Sequence, residues 1–335
     1  MDGVVMTAGD PNLPQCRTQF WNGILSLSSG PRYTLGVHTN GTVYAVGDRG
    51  EKYDFGQYDV AFWSRIVQVA GGSLHTVGLR EDGTVTAAGR NNYHASEVSE
   101  WTDIVKVAAG STHTLGLRAD GTVVATGDNE NHCCETKNLA NIVDIAAGKS
   151  QSYFLRADGV VLPESLGWRK IVAIEARYEQ LFGLRADGTV VSKKLQSEEI
   201  ASWTDVVAIA AGVNHVAALR ADGTVVAAGD NEGGQCNVNG WRLFDHLEQF
   251  TAFRDSFRER AAEARKAEAE RLEAERRRMI SALATEANAI QPELKTIEVL
   301  IKTHTFNNGP RIARKNALEA RLKEIQEQLE QLSKV

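Results

Sequence analysis

Three histidines and three cysteines recur at fixed places in a repeating sequence, and they are the side chains best suited to chemistry. His75, His113 and His215 share one position of the repeat, where other copies carry Gln or Tyr. Because neither catalysis nor metal binding tolerates such replacements, we expect these histidines to satisfy backbone groups at the strand entry.

The cysteines are equally poor candidates for a metal site. Cys16, Cys134 and Cys236 share a second repeat position, and Cys133 is an extra thiol beside Cys134. Equivalent positions of different repeats lie far apart, and a zinc site needs three or four ligands. We therefore predict reduced thiols, no metal and no cofactor.

The sequence also lacks a nucleophile elbow, a phosphate-binding loop and an H-E-x-x-H motif, so we predict that the protein is not an enzyme.

Charge and hydropathy narrow the choice of partner. The chain carries 37 basic and 43 acidic residues, a net charge of −6, and residues 1–245 account for −8. A negatively charged surface argues against binding to nucleic acid, whose phosphates are also negatively charged. No apolar run approaches the ~20 residues of a membrane span, and residues 1–15 lack the basic and apolar regions of a secretory signal. These features predict a cytoplasmic protein without a membrane partner.

A repeat of about 38 residues runs through residues 1–245. An Asp-Gly or Asn-Gly dipeptide occupies one position of the repeat in seven copies, with its glycine at Gly3, Gly41, Gly83, Gly121, Gly159, Gly188 and Gly223. Residues 105–127 show the longer pattern around it, VKVAAGSTHTLGLRADGTVVATG. Because Asp-Gly is typical of two-residue type I′ turns, each dipeptide predicts a hairpin of two antiparallel strands.

All six tryptophans occupy one position of this repeat. They are Trp21, Trp63, Trp101, Trp168, Trp203 and Trp241. Each stands three residues before an aliphatic residue or Phe, and Leu139 fills the same position in the remaining copy. This regularity predicts that large side chains wedge between neighbouring sheets.

These features predict a mainly β fold, a seven-bladed β-propeller over residues 1–245. One repeat cannot bury its own faces, whereas a ring of repeats shelters every face. Six copies are complete, and the partial seventh blade combines an N-terminal strand, Val4–Ala8, with the segment after Trp241. The alternatives are a start site placed too late, or an open edge that another chain covers.

The pattern A-A-G-x-x-H-T-x-x-L-R-x-D-G-T-V-x-A-x-G resembles the regulator of chromosome condensation repeat family. Gly229–Val238, GDNEGGQCNV, is similar to the short repeats of bacterial members. The resemblance implies a propeller that binds another protein. Family members include a nuclear guanine-nucleotide exchange factor and a secreted β-lactamase inhibitor. The basic N-terminal tail and the long inter-blade insertion of the exchange factor have no counterpart in this sequence.

Places where the repeat breaks its own pattern are candidate protein-binding sites. Two adjacent copies replace the A-A-G-x-x-H corner, and a separate polar and aromatic loop follows an earlier copy. The candidate residues are Lys149, Arg177, Tyr178, Glu179, Tyr93 and His94. Tyr and Arg are enriched in interface hot spots, and function concentrates in loops on a rigid scaffold. The alternative is that these substitutions have no functional role, because a repeat that tolerates sequence change would accumulate them in the same way.

The C-terminal residues predict helices. Residues 246–279 read as a charged connecting helix with pairs such as Glu273 and Arg277. Residues 280–335 carry two apolar seams with steps of three and four, which predict an antiparallel coiled-coil hairpin. The seams are Ile280, Leu283, Ala287, Ile290, Leu294, Ile297 and Ile301, then Leu318, Leu322, Ile325, Leu329 and Leu332. Pro292 should kink or restart the first helix, and a turn is expected at 307–310.

Three functions are compatible with these predictions. We favour a non-enzymatic scaffold whose propeller face binds a protein partner. Its helices would form a homo-oligomer through residues 280–332, dock the chain elsewhere, or only act as a spacer. The alternative is a regulator of a small GTPase by nucleotide exchange. An enzyme with a site in the central channel would need two or more acidic or His residues converging at the channel mouth.

Overall fold

The chain divides into two compact units, each with its own type of secondary structure. The computed structural model describes residues 4–50, 52–195, 197–243, 247–303 and 308–333. The units span Met1–Arg265 and Lys266–Val335. Among the described residues, every β-strand lies in the first unit and the helix pairing lies in the second.

Six antiparallel sheets of three strands each follow one another along the first unit. The strands of the first three sheets are β1 Ile24–Ser29, β2 Tyr33–His38, β3 Val43–Gly47, β4 Ile66–Gly71, β5 His75–Arg80, β6 Val85–Gly89, β7 Ile104–Ala109, β8 His113–Arg118 and β9 Val123–Gly127. Those of the next three are β10 Ile142–Ala147, β11 Ser152–Arg156, β12 Val161–Leu162, β13 Ile171–Arg177, β14 Gln180–Arg185, β15 Val190–Ser192, β16 Val206–Ala211, β17 His215–Arg220 and β18 Val225–Gly229. The loops contain the short helix α1, Glu198–Ala201, and three 3-10 turns, Pro14–Cys16, Asn92–His94 and Glu164–Leu166. The predicted hairpins are present around six of the seven dipeptides, and the dipeptide at Gly3 lies outside the described residues. The described residues contain six sheets, so the count of seven is not confirmed.

The turn that joins the second strand to the third differs from the predicted type I′ turn. In the third sheet, the Gly121 N–H donates to the Arg118 carbonyl at 3.0 Å, and the Arg118 N–H donates to the Thr122 carbonyl at 2.9 Å. Gly121 has φ +81°, whereas Asp120 is not in the positive-φ region. The connection is thus a three-residue loop with a glycine bulge. Asp120 serves as an acceptor, because its Oδ1 receives the Thr122 N–H at 2.8 Å and hydroxyl at 2.7 Å.

Four of the six tryptophans, Trp63, Trp101, Trp168 and Trp203, lie in clusters that join neighbouring sheets, as the repeat predicts. Trp101 is 8% exposed and shares one apolar cluster with Val77 and Leu79 of the preceding sheet. On its other side it covers Gly116 of its own sheet, where an added Cβ would lie 2.8 Å from the indole ring. A glycine is therefore needed there, because any larger residue would displace the ring that closes the contact between two sheets.

Two helices follow the sheets in the sequence, α2 spanning Leu247–Thr303 and α3 spanning Gly309–Ser333. The second unit contains α3 and the part of α2 from Lys266 onward. Their apolar seams cover one another, with Ile290, Leu294 and Ile297 packed in one cluster with Leu318 and Ile325. Ion pairs join the helices along their length, Arg321 with Glu286 and Arg314 with Glu293. Residue numbers rise along one helix as they fall along the other, so the pair is antiparallel.

Pro292 does not restart the first of these helices, which was one of the two outcomes expected from the sequence. It lies inside α2, which continues to Thr303. Proline removes one backbone hydrogen bond from a helix. Packing on both sides of it, at Ile290 and Leu294, holds the helix together across that point. Of the turn predicted at 307–310, residue 307 lies outside the described residues, and Gly309 and Pro310 begin α3. Within the described residues, no helix combines the length and the apolar character that a membrane span requires.

Candidate protein-binding face and central cavity

The loops that join the first strand to the second in sheets two to five are linked into one surface, which we call the corner face. The Ser73 N–H donates to the Gly110 carbonyl at 3.3 Å, and the Ser111 N–H donates to the Lys149 carbonyl at 3.4 Å. The Lys149 N–H in turn donates to the Tyr178 carbonyl at 2.6 Å. Backbone contacts therefore fix the loops of neighbouring sheets relative to one another.

Three of the predicted binding residues come together on this corner face. Lys149 and Glu179 are exposed, and the Lys149 Nζ lies 5.9 Å from the centre of the Tyr178 ring. Glu179 forms an ion pair with Lys194, which holds the pKa of its carboxyl below the usual range. Tyr178 has φ +52°, a conformation that is uncommon for an aromatic residue. The result is a rigidly presented aromatic ring between charges of both signs.

Arg177 belongs to a different environment from the three residues beside it. Glu175, Ala176 and Arg177 of β13 all line the central cavity. The Arg177 Nη1 donates to the Gly71 carbonyl of the second sheet at 2.6 Å, and its Nη2 is buried without a hydrogen-bond partner among the described residues. Burial lowers the pKa of this guanidinium.

Tyr93 and His94 form a separate exposed loop between the second and third sheets. Both have positive φ, +64° and +65°, and Tyr93 is 57% exposed. The His94 Nδ1 lies 2.6 Å from a Glu97 carboxylate oxygen. Within the described residues, no hydrogen bond or ring contact joins this loop to Lys149 or Tyr178.

A cavity of about 160 Å³ lies where the first strands of sheets one to five face one another. Its polar lining consists of Ser26, Ser28, Gln68, Lys106, Glu175 and Arg177. Burial, reinforced by Asp144, raises the pKa of the Glu175 carboxyl to about 7. The sequence analysis missed this group, because the repeat disguises which position of each first strand faces the centre.

Among the described residues that line the cavity, Glu175 is the one with a carboxyl group, and Asp144 lies near it. Lys106 forms an ion pair with Asp144, and the other bonds of that carboxylate are with the backbone N–H groups of Ile145 and Ile174 at 2.9 and 3.1 Å. Asp144 therefore joins sheets three, four and five. Within the described part of the chain, no group of three or more His, Cys, Asp or Glu side chains could hold a metal ion.

Two of the repeated histidines connect consecutive sheets. The His75 Nε2 lies 3.0 Å from the Thr114 hydroxyl, and the His113 Nε2 lies 3.1 Å from the Ser152 hydroxyl. The partner is thus a hydroxyl of the next sheet instead of the local backbone. Burial, together with the nearby charges of His113 and Arg177, lowers the pKa of His75 to about 4. A neutral ring at this position is consistent with the structural role expected from the sequence.

Comparison with known proteins identifies the family to which three of the repeats are similar. The model of the regulator of chromosome condensation (RCC1) repeat matches residues 66–95, 104–133 and 206–235. These segments correspond to sheets two, three and six. Among curated proteins, none matches the sequence.

Several solved structures have a similar fold. The ectodomain of the receptor kinase CR4 from Physcomitrella patens is 15% identical, with 68% of this chain and 67% of that chain covered at a TM-score of 0.51. Human WBSCR16 is 17% identical, with 71% and 89% covered at a TM-score of 0.51. The CRINKLY WD40 ectodomain of the receptor kinase ACR4 from Arabidopsis thaliana is 17% identical, with 68% and 85% covered at a TM-score of 0.51. At these identities the likeness concerns the fold. Three segments of the chain, residues 66–95, 104–133 and 206–235, therefore match the regulator of chromosome condensation repeat, and the helices α2 and α3 follow them in the sequence.

Proposed function

We propose that this protein is a non-catalytic scaffold that binds a protein partner through its corner face. The observation that carries the proposal is the group of Lys149, Tyr178 and Glu179, which the loops of sheets four and five present at the surface. Hot spots of protein interfaces combine an aromatic anchor with charged groups that set orientation. Since the loops are tied together by backbone hydrogen bonds, little conformational entropy is lost when a partner binds.

We further propose that residues 1–245 form a propeller with a partial seventh blade. Gly9 supports this, because its Cα lies 3.7 Å from the position that a Cβ on Gly234 would take. The same relation joins Gly56 to Gly89, at 3.8 Å, within the complete second repeat. Residues 4–9 would then stand in the place of an outer strand, although residues 4–8 have no assigned strand.

The test of the corner face compares matched variants in a binding experiment. The full chain captures partners from an extract of its host, and the partner found is purified for calorimetry. We expect Lys149→Gln and Tyr178→Asn each to weaken binding about tenfold, as truncated hot-spot residues do. Asn is chosen because it tolerates the left-handed backbone of position 178. Lys137→Gln, at another exposed lysine, is the control. Equal affinity of all variants would refute the role of the face.

The second candidate function is the regulation of a small GTPase, and the three matched repeats favour it. A nucleotide-release assay with the purified GTPases of the host decides between the two. Accelerated release would support exchange activity, whereas an unchanged rate leaves the scaffold as the function.

For the helices we propose oligomerisation or docking through residues 280–332. Sedimentation of the full chain at several concentrations tests the first role. A concentration-dependent mass would support it, and a constant monomer mass would leave docking or spacing.

A further inference from the structure

One copy of the repeat carries charged residues at positions where the other described copies have small ones. In the fifth sheet these residues are Glu175 and Arg177, at the end of β13, and both line the central cavity. The residues equivalent to Glu175 in the other sheets are Ser28, Ala70, Ala108, Ala146 and Ala210, and those equivalent to Arg177 are Gly30, Gly72, Gly110, Gly148 and Gly212. Five sheets form without a charge at either position, so the fold of the repeat does not require the two charged side chains.

Among the described residues, the cavity does not balance the charge of Arg177 at slightly acidic pH. The Arg177 Nη1 donates to the Gly71 carbonyl, whereas its Nη2 is buried and meets no hydrogen-bond acceptor. Asp144 is ion-paired with Lys106. Burial raises the pKa of Glu175 to about 7, so this carboxyl is mostly protonated below that pH. A buried charge without a counter-ion is costly, and an anion bound beside the guanidinium would remove that cost.

The cavity has room for such an anion and can supply further hydrogen bonds to it. Its volume is about 160 Å³. Glu175 and Arg177 are partly exposed, so solvent reaches both side chains. The Ser28 hydroxyl accepts the Gly71 N–H at 3.1 Å, and its own proton can be donated to a ligand. A guanidinium nitrogen and a hydroxyl are therefore available as donors in the same cavity.

We propose that the central cavity binds an oxyanion, the carboxylate or phosphate group of a small molecule, through the Arg177 Nη2. Charge-assisted hydrogen bonds from a guanidinium suit such groups. A water molecule would satisfy the hydrogen bond of Nη2 but would leave the charge uncompensated. The proposal is independent of the corner face, because Lys149, Tyr178 and Glu179 do not contribute to the lining of this cavity.

Sulfate and acetate serve as probes, since one represents tetrahedral oxyanions and the other carboxylates. Calorimetry measures their binding to the full chain at pH 6, with chloride keeping the ionic strength constant. We expect saturable binding of at least one probe, and the tighter of the two identifies the class of ligand. Nuclear magnetic resonance of the chain with labelled arginine locates the site. The Nη signals of Arg177 should shift with the same saturation, whereas those of the exposed Arg169 should not.

A substitution that the repeat itself suggests removes the proposed site. Arg177→Gly introduces the residue that the other described sheets have at this position, so the variant should fold, and tryptophan fluorescence checks this. It should weaken binding of the preferred probe by about tenfold or more, because a charged hydrogen bond is lost. The control Arg169→Gln removes one positive charge from the surface and should bind as the wild type does.

The pH dependence of binding provides a second test, through Glu175. The other titratable groups near Glu175 and Arg177 are Lys106, Asp144, Tyr33, Tyr178 and His75. Burial keeps two of them neutral between pH 6 and 8, because it raises the pKa of Tyr33 and lowers that of His75 to about 4. Ionised Glu175 competes with the bound anion for Arg177. Binding should therefore weaken about tenfold from pH 6 to pH 8, as the protonated fraction of a group with a pKa of about 7 falls by that factor.

Glu175→Gln keeps the size of the protonated carboxyl and removes its titration. This variant should bind the preferred probe with the same affinity at pH 6 and pH 8. The proposal is overturned if neither probe binds saturably, which would mean that the cavity holds only water. It is also overturned if Arg177→Gly binds as tightly as the wild type, or if the pH dependence persists in Glu175→Gln.

Discussion

Acidification should destabilise the sheet unit through His75, and the effect can be isolated with one substitution. The fold lowers the pKa of this ring from 6.5 to about 4. At 1.36 kcal/mol for each pKa unit, the folded state favours the neutral ring by about 3 kcal/mol. The unfolded chain binds the extra proton in this interval, so stability falls as the pH falls. Between about pH 7 and pH 5 the loss from this group alone is about 2 kcal/mol.

The substitution His75→Gln removes the titration and keeps a polar side chain that other repeats use at this position. Urea unfolding is followed by tryptophan fluorescence, which reports on the first unit because all six tryptophans lie between residues 21 and 241. The stability of the wild type relative to the variant should fall by about 2 kcal/mol from about pH 7 to pH 5. His132→Gln, at an exposed histidine, should not reproduce this change. A difference between wild type and His75→Gln that does not vary with pH would refute the buried, neutral ring.

Three further outcomes are expected from single substitutions. The comparison of the wild type with Glu175→Gln should show the opposite pH dependence, because burial raises the pKa of the Glu175 carboxyl in the folded state from 4.5 to about 7. As the pH rises from about 5 to 8, the free energy of unfolding of the wild type should fall by up to about 3 kcal/mol relative to the variant, and the same urea unfolding measures this. Gly116→Ala should destabilise the sheet unit by about 1–3 kcal/mol, because the added Cβ would lie 2.8 Å from the Trp101 ring, and unchanged stability would contradict that packing. Ile325→Ala should lower the stability of the helix pair by about 2–5 kcal/mol, since Ile325 is 0% exposed; circular dichroism during urea unfolding measures this, and an unaltered helical transition would count against the buried seam.

The repeat, the hairpins and the helix pair could be predicted from the sequence, because each depends on local spacing. The position of the tryptophans follows from the repeat, and Trp101 does lie between two sheets. The seams of the C-terminal helices pack as their three and four spacing indicates. Such patterns are repeated many times along the chain, so single exceptions do not obscure them.

Other features depend on the surroundings of individual residues. Asp120 and Gly121 fit a type I′ turn by composition, but the Thr122 amide and hydroxyl bind the Asp120 carboxylate and favour the three-residue loop. Arg177 was expected at the surface beside Tyr178, whereas it lines the cavity and donates a hydrogen bond to the Gly71 carbonyl. The partial seventh blade stays a prediction, since the described residues contain six sheets of three strands each. The binding roles of Lys149, Tyr178, Glu179, Tyr93 and His94 stay predictions until a partner is tested.

The arrangement of the sheets around a common cavity is tested most directly by the contact between Arg177 and Gly71. These residues belong to the fifth and second sheets, and the Arg177 Nη1 lies 2.6 Å from the Gly71 carbonyl oxygen. In a linear stack with about 10 Å between sheets, they would be about 30 Å apart. Nuclear magnetic resonance of the full chain with labelled arginine should show a nuclear Overhauser effect between the Arg177 guanidinium and the Gly71 Hα protons. Its absence, with both groups assigned, would contradict the circular arrangement.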